Sequence, residues 1–564
     1  MATYSQHGRP IRIHTPLGPD ALLLAGFAGH EGMSELFNIE TQLATAPDVD
    51  IAFDKVLAQS VTVALELPGG LTRHINGIFH SFEEVGRDEG FRYYEGRLVP
   101  RFWLWQYRVQ SRVFQQQSVP EILATVLEDL RPNVRFMLTG TYHKRDYCVQ
   151  YRESDFDFVS RLMEEEGLYY FFEHHADKHV LVVTDSLLGC PELSAGSHVS
   201  YHAQQGGSRE LTHITQWRRR QEIGSNTFTL RDYHFELPTN DLQAQANVPE
   251  QAKVGTHTQQ LALPAAGRLE DYDYPGNYAR WFDGIDPEGN DQASELQLVF
   301  EENQRQARLR EEEATARAFT VSGQGNCGQF SPGHQFHLEH HYKADGTYLI
   351  LRVEHKVEAD YHFRSAGESP WQYQSKFTAL PVSIPYRAPR QTKRPVLAGT
   401  QTAVVVGPEG QEIFVDKYGR VKVLFHWDRQ GSNHGNSSCW VRVAQIWAGN
   451  DWGAFFWPRI GHEVVVAFEE GNPDRPLIVG SVYNASNMPP VNLPEEQMSA
   501  GIKSCVFTKN AAKEFNAVIF FDVPSSPYVH VHSAQTEMRN TAANRVQFVP
   551  SGNYRFNGSL VLGG

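Results

Sequence analysis

The sequence predicts a mainly β protein with a few helices, and three observations carry that class. Apolar and polar residues alternate with period two in many short runs, which turns one face of each run toward a core. Aromatic residues make up 12% of the chain, and such rings suit half-buried pleated surfaces. Glycine (45) and proline (30) cut the runs at short intervals. At 564 residues the chain is also too long for one domain.

The elements follow in order. Residues 21–27 are an apolar run, and 36–43, 61–67, 74–82 and 92–98 alternate, with Pro68-Gly69-Gly70 as a turn. Phe102, Trp103, Leu104 and Trp105 are consecutive and read as buried. Residues 118–130 predict a helix: Ser118 and Glu121 have capping-box spacing, Pro120 fits the first turn, and Ile122, Leu123, Val126, Leu127 and Leu130 share a face. A second helix, 154–166, has Ser154 as cap and Gly167 as stop. Its end, Glu164-Glu165-Glu166, reads as solvated rather than as general acid/base machinery, because no second carboxylate motif is near in sequence.

Strands resume at 169–173 and 180–184, joined by a turn holding His174-His175, and again at 212–220 and 226–233. Residues 238–268 are polar and poor in aromatics, so a mobile loop is expected. Residues 294–318 are rich in Glu, Gln, Arg and Ala, a good helix, with Glu301/Arg305 and Arg308/Glu312 at i,i+4. Strands follow at 319–339 and 346–358, then a basic, Pro-punctuated linker at 381–395.

The densest stretch is 412–484. Val421, Val423 and Phe425 alternate with Lys422, Leu424 and His426, Val441 and Val443 flank Arg442, and Val464 to Phe468 form a buried-looking run. Turns such as Tyr418-Gly419 and Gly471-Asn472-Pro473-Asp474 separate them, which predicts a closed barrel of about five strands. Residues 485–498 are a second linker. Beyond it, 515–521 and 528–533 alternate strictly, as successive rungs would. Short strands like these cannot bury an apolar face alone, so association is a physical need.

Several of these segments carry a resemblance. DKYGRVKVLFHWDR (416–429), WVRVAQIWAG (440–449), the 458–484 segment and residues 499–504 resemble VgrG, the type VI secretion spike family also known as the Rhs element Vgr family. FNIE (37–40), INGIF (75–79), YYEGRLVPRFWLW (93–105), QYRESDFDFVSRLMEEEGLYYFFEH (150–174) and DYDYPGNY (271–278) extend the likeness over nearly the whole chain. The family is similar to the hub and spike of contractile phage tails. The resemblance implies a phage hub-like base of two β-barrel subdomains with inserted helices at 1–385. It further implies a linker at 386–400, an OB-fold barrel at 401–485, a linker at 486–500 and the start of a trimeric β-helix or β-prism needle at 501–564. From Thr541 to Gly564 the sequence departs from the pattern, so a short or truncated needle is expected.

The resemblance implies a homotrimer that punctures target membranes and carries effectors. Its expected partners are the Hcp tube protein at the base, a PAAR-type tip or an effector at the needle, and baseplate components. The expected needle contacts are Val518, Phe520, Val529 and Val531. A contractile phage-like tail is the alternative setting. No signal peptide is visible in the sequence, which fits assembly in the bacterial cytoplasm and export through the apparatus.

Composition narrows the chemistry. A formal charge of −15 opposes non-specific nucleic-acid binding, so the barrel aromatics Phe425, Trp427, Trp440, Trp447, Trp452, Phe455, Phe456 and Trp457 read as core and subunit contact rather than base-stacking surfaces. The odd count of five scattered cysteines argues against a disulfide framework. GxxxxGK[ST], HExxH, GxSxG and EF-hand patterns are absent. No enzyme and no cofactor are expected. The weak metal candidates are His530 and His532, on one strand face flanking Val531, where three copies could stack rings about an axis. His334, His337, His340 and His341 would split between two strand faces. A metal-dependent hydrolase acting through these histidines is the competing enzymatic reading.

Overall fold

The computed structural model describes residues 4–202, 212–359, 363, 371–431, 435–507 and 514–538. Thr541 to Gly564, where a short needle is expected, lie outside them. The chain divides into two units, Met1–Ser481 and Val482–Gly564.

A 12-stranded sheet organises the first unit. One half runs Ile11–His14, Ser60–Glu66, Thr72–Arg87, Arg92–Val99, Glu35–Thr45, Leu23–Gly32, antiparallel throughout. Gln6 joins its two ends. The Gln6 Oε1 accepts from the backbone of Ile13 at 2.9 Å and of Leu24 at 3.2 Å, which turns six strands into a barrel. The other half runs Gly346–Ala359, Gln335–Glu339, His198–Tyr201, His213–Gln221, Phe319–Gly325, Trp371–Pro381. Its last strand pairs back on its first, so it closes through its own backbone. The seam between the barrels is an antiparallel pairing of residues 26–32 with 352–358. Each barrel has its own apolar core, one around Phe37, Ile39 and Phe79, the other around Phe336, Tyr348 and Phe377.

Three α-helices are present among the described residues: α1 (Val119–Val126), α2 (Asp155–Glu166) and α3 (Leu298–Ala318). The capping box at Ser118 forms, with the Glu121 carboxylate accepting from the Ser118 backbone at 2.7 Å. Helix α1 stops before Leu130, and a 3-10 turn, Glu128–Leu130, completes the expected span. Ser154 Oγ accepts from the Asp157 backbone at 3.0 Å and caps α2. Gly167 ends α2 at φ 70°, where an added Cβ would lie 2.5 Å from Leu309 of α3.

Structure corrects the sequence in several places. Phe102 and Trp105 are buried, but Trp103 and Leu104 are only half-buried, because the segment is a 3-10 helix with one inward face. Residues 238–268 are not an open loop. They contain the strand Ala244–Asn247 and the hairpin Gln251–Val254 with His257–Gln260, whose Val254 and neighbouring Leu261 are buried in the second core. Lys422 alternates with Val421 and Val423, yet it is buried as they are, with its ammonium 5.1 Å from the Trp440 ring centre.

The largest correction concerns Glu164-Glu165-Glu166, which is not solvated. Glu165 and Glu166 are buried and paired with Arg145, and Arg161, Arg305 and Arg394 complete the cluster. Glu164 accepts from the backbone of Gln391 at 3.1 Å and of Thr392 at 3.0 Å. The expected linker is therefore strapped down: Arg387 donates to the carbonyls of Gly167 and Asp185, and Arg390 to Gln306 of α3. Arg305 consequently pairs with Glu302 and Glu166 rather than with Glu301, whereas Arg308 meets Glu312 at 3.7 Å as expected.

The 412–484 stretch forms a barrel only with a strand from before it, Gln401–Val406, in the order Lys422–Phe425, Gln401–Val406, Glu463–Phe468, Pro476–Val482, Arg442–Val443. An antiparallel bridge between Val421 and Val441 closes it. Val405, Val421, Val423, Val441, Val464 and Ile478 fill it.

Candidate functional site

Two places in the molecule stand out, one for its buried charge and one for its exposed apolar surface. The first is the joint between the paired barrels and the small barrel. Arg420, 2% exposed at its side chain, binds Asp416 and, through two nitrogens, Asp283. Arg475 reaches Asp232 at 2.8 Å, and Arg280 reaches Glu469 at 3.1 Å. Asp474 accepts from the Val149 backbone at 2.7 Å, and the Trp440 indole donates to the Asp286 carbonyl at 2.8 Å. The Arg420–Asp283 and Arg475–Asp232 charges are withdrawn from water, so each of these pairs holds only while its geometry holds, whereas Glu469 is still 31% exposed. Asp146 sits in the same joint. Burial and the nearby Asp283 push its carboxyl up to about 7, against the pull of Arg420 and Lys422. On Glu165 burial works in the same direction, but the guanidinium groups of Arg394, Arg145 and Arg161 outweigh it and hold the carboxyl far below the usual range.

The second place is the sheet of the second unit, Ser499–Lys503, Ala517–Phe521, Tyr528–His532, an antiparallel meander. Register puts Ile502 opposite Val518, Val518 opposite Val531, Ala500 opposite Phe520 and Phe520 opposite Val529. Directly opposed residues share a face. One face is thus Ala500, Ile502, Val518, Phe520, Val529 and Val531, and its four predicted contacts are 41%, 47%, 57% and 48% exposed in chain order. His530 and His532 are on the other face, opposite Ile519 and Ala517, with ring centres 5.9 Å apart.

The aromatic run of the small barrel divides. Phe425 and Trp440 are buried and Trp427 stacks on Phe425 at 5.2 Å. The hairpin Trp447–Gly449 with Trp452–Ala454 stands out with both tryptophans exposed, and Ile446, Phe455 and Phe456 are exposed beside it.

The histidine run does not converge. His337 contacts Thr347 and His198, His340 contacts Ser200, His341 packs on Tyr201 and Trp217, and His334 lies against Phe171. His340 has φ 63°, so the strand ends there and strict alternation does not apply. Among the described residues, no three His, Cys, Asp or Glu side chains are placed to hold a metal ion together. Sequence reasoning missed a buried cluster in which Glu31 binds Arg73, His174 at 3.1 Å and His355 at 2.9 Å. No helix among the described residues is long and apolar enough to cross a membrane.

Comparisons with known proteins agree with this architecture. Residues 30–361 match the phage tail baseplate hub (GPD) family, and 411–483 match the type VI secretion system/phage-baseplate injector OB domain. The type VI secretion system spike protein VgrG1a of Pseudomonas aeruginosa is 36% identical over 533 residues, covering 94% of this chain and 78% of the relative. VgrG1c of the same organism is 36% identical over 538 residues, covering 95% and 70%. An E. coli type VI secretion component, described as structurally similar to the T4 bacteriophage tail proteins gp27 and gp5, superposes with TM-score 0.55. It is 22% identical, covers 84% of this chain and 100% of its own, and so supports the fold alone.

Proposed function

The chain belongs to the VgrG family of type VI secretion system spike proteins, and on that premise we propose that three copies form a puncturing spike whose product is stiffness, not catalysis. The observation that carries this reading is the second-unit sheet. Its face of Val518, Phe520, Val529 and Val531, with Ile502 and Ala500, is apolar, ordered by cross-strand pairing and uncovered. Each of these side chains is about half exposed, so covering one contributes about 1 kcal/mol. Two further copies supply a cover of the same chemistry, and a three-fold axis repeats it without leaving an open edge. The exposed Trp447–Trp452 hairpin is a second surface that sister copies would cover.

In this assembly the paired barrels dock on the Hcp tube protein and baseplate components. The C-terminal end carries a PAAR-type tip or an effector and meets the target membrane only in passing. The protein assembles in the cytoplasm and leaves through the apparatus. Force comes from outside the spike, so its own residues have to transmit load without yielding. The buried ion pairs Arg420–Asp283 and Arg475–Asp232 tie the small barrel to the base, and the Arg394–Glu165 pair ties the connecting strap.

Mass measurement in solution tests the reading. Wild type is expected as a trimer, and Val518→Asp or Phe520→Asp should shift it toward single copies while Met1–Ser481 keeps its circular-dichroism spectrum and melting. A trimer of undiminished stability in both variants would overturn the assignment of this face.

A further inference from the structure

A three-fold ring is built from heterologous contacts: one patch on each copy meets a different patch on the next. Resting on the trimer reading above, we infer that the partner for a charged patch on the first barrel is a second copy's charged patch on the second barrel. The first patch is Glu83 and Glu95, which stand directly opposite each other across Thr72–Arg87 and Arg92–Val99. Like charges in register destabilise a strand pair. Both are exposed, and neither has an ion-pair partner among the described residues, although Arg97 and Glu40 nearby pair with each other at 3.3 Å. A like-charge pair in this position favours a cation supplied from outside the chain.

The matching patch lines a hollow of about 330 Å³ on the second barrel. Arg218 and Lys376 are exposed there on neighbouring strands, flanking Phe319–Gly325, and neither is within ion-pair distance of a carboxylate among the described residues. Glu354 stands opposite Lys376 in register but contacts Arg352 at 3.9 Å. Arg352 on the rim is bonded to Glu35, so the unpaired charge of the hollow is that of Arg218 and Lys376, which is complementary to the Glu83/Glu95 patch. No ion pair joins the two patches within one chain among the described residues. Exposed pairs of this kind add little affinity singly, but they fix which neighbour docks and in what register.

A charge swap tests this. Trimer dissociation is measured for wild type, Glu83→Lys/Glu95→Lys, Arg218→Glu/Lys376→Glu and all four changes together. The series is repeated with Phe520→Ser, so that a tight C-terminal contact does not mask the effect. Each two-residue reversal should raise the apparent dissociation constant about tenfold, and the combined swap should return it to within about threefold of its background. Reversals without effect, or a combined swap weaker than either half, would overturn the pairing and leave the trimer standing. A wild type that runs as single copies would overturn the trimer reading and this inference with it.

Discussion

The two units solve the same problem in opposite ways. Met1–Ser481 buries its apolar side chains in separate cores and then buries charge as well, in pairs drawn from distant segments. The second unit leaves a whole sheet face uncovered. What a strand does with its apolar side therefore depends on what else the chain supplies. Where the chain offers cross-barrel partners, the face becomes core. Where three short strands are described, the face stays exposed, and on the trimer proposal it is the surface another copy covers.

The comparison breaks most easily at the joint. Arg420→Ala leaves Asp283 and Asp416 buried without their cation and should cost the first unit about 3–5 kcal/mol, read as a lower melting temperature. A change in the second-unit sheet has no such effect on the first unit if the two are independent.

A smaller effect comes from pH. The Asp146 carboxyl titrates at about 7 in the folded protein, against 3.8 ordinarily. Between about pH 4 and pH 7 the fold keeps a proton that the unfolded chain has released. The contribution of this group to stability thus falls as pH rises through that window and stays low above it. Asp146→Asn should match wild type near pH 4 and melt higher at pH 8. Equal shifts at both values would remove Asp146 as the cause.

The smallest effect sharpens the contrast. Ile502→Ser changes a residue 58% exposed, so the fold of a single copy should change by about 0.5 kcal/mol or less. Trimer dissociation should nevertheless rise severalfold. A loss confined to melting, with assembly untouched, would show that the face serves its own unit.

Much of this was legible residue by residue. The Ser118/Glu121 box, the Ser154 cap and the Gly167 stop are local, and each appears where the spacing puts it. The small barrel's strands were readable because its turns fall between alternating runs. The Glu164–Glu166 cluster was not, because Arg305 and Arg394 come from 139 and 229 residues away. The burial of Lys422 was not legible, because period two says which face a side chain takes, not whether another part of the chain covers that face. The hairpin at 251–260 was hidden by its polar strands; its anchor is Val254 and Leu261 in a distant core.

By itself the sequence determined the local grammar: where strands alternate, where helices are capped, and which strands near the C-terminus have an apolar face. It also carried the family likeness, since long ordered motifs survive in the primary chain. Tertiary structure alone decided which charges are buried, that the strap at 387–394 is fixed, and that Gln6 closes a barrel. The reason is that dihedral preference and periodicity act over a few residues, whereas desolvation and ion pairing depend on groups that meet only after the chain has folded.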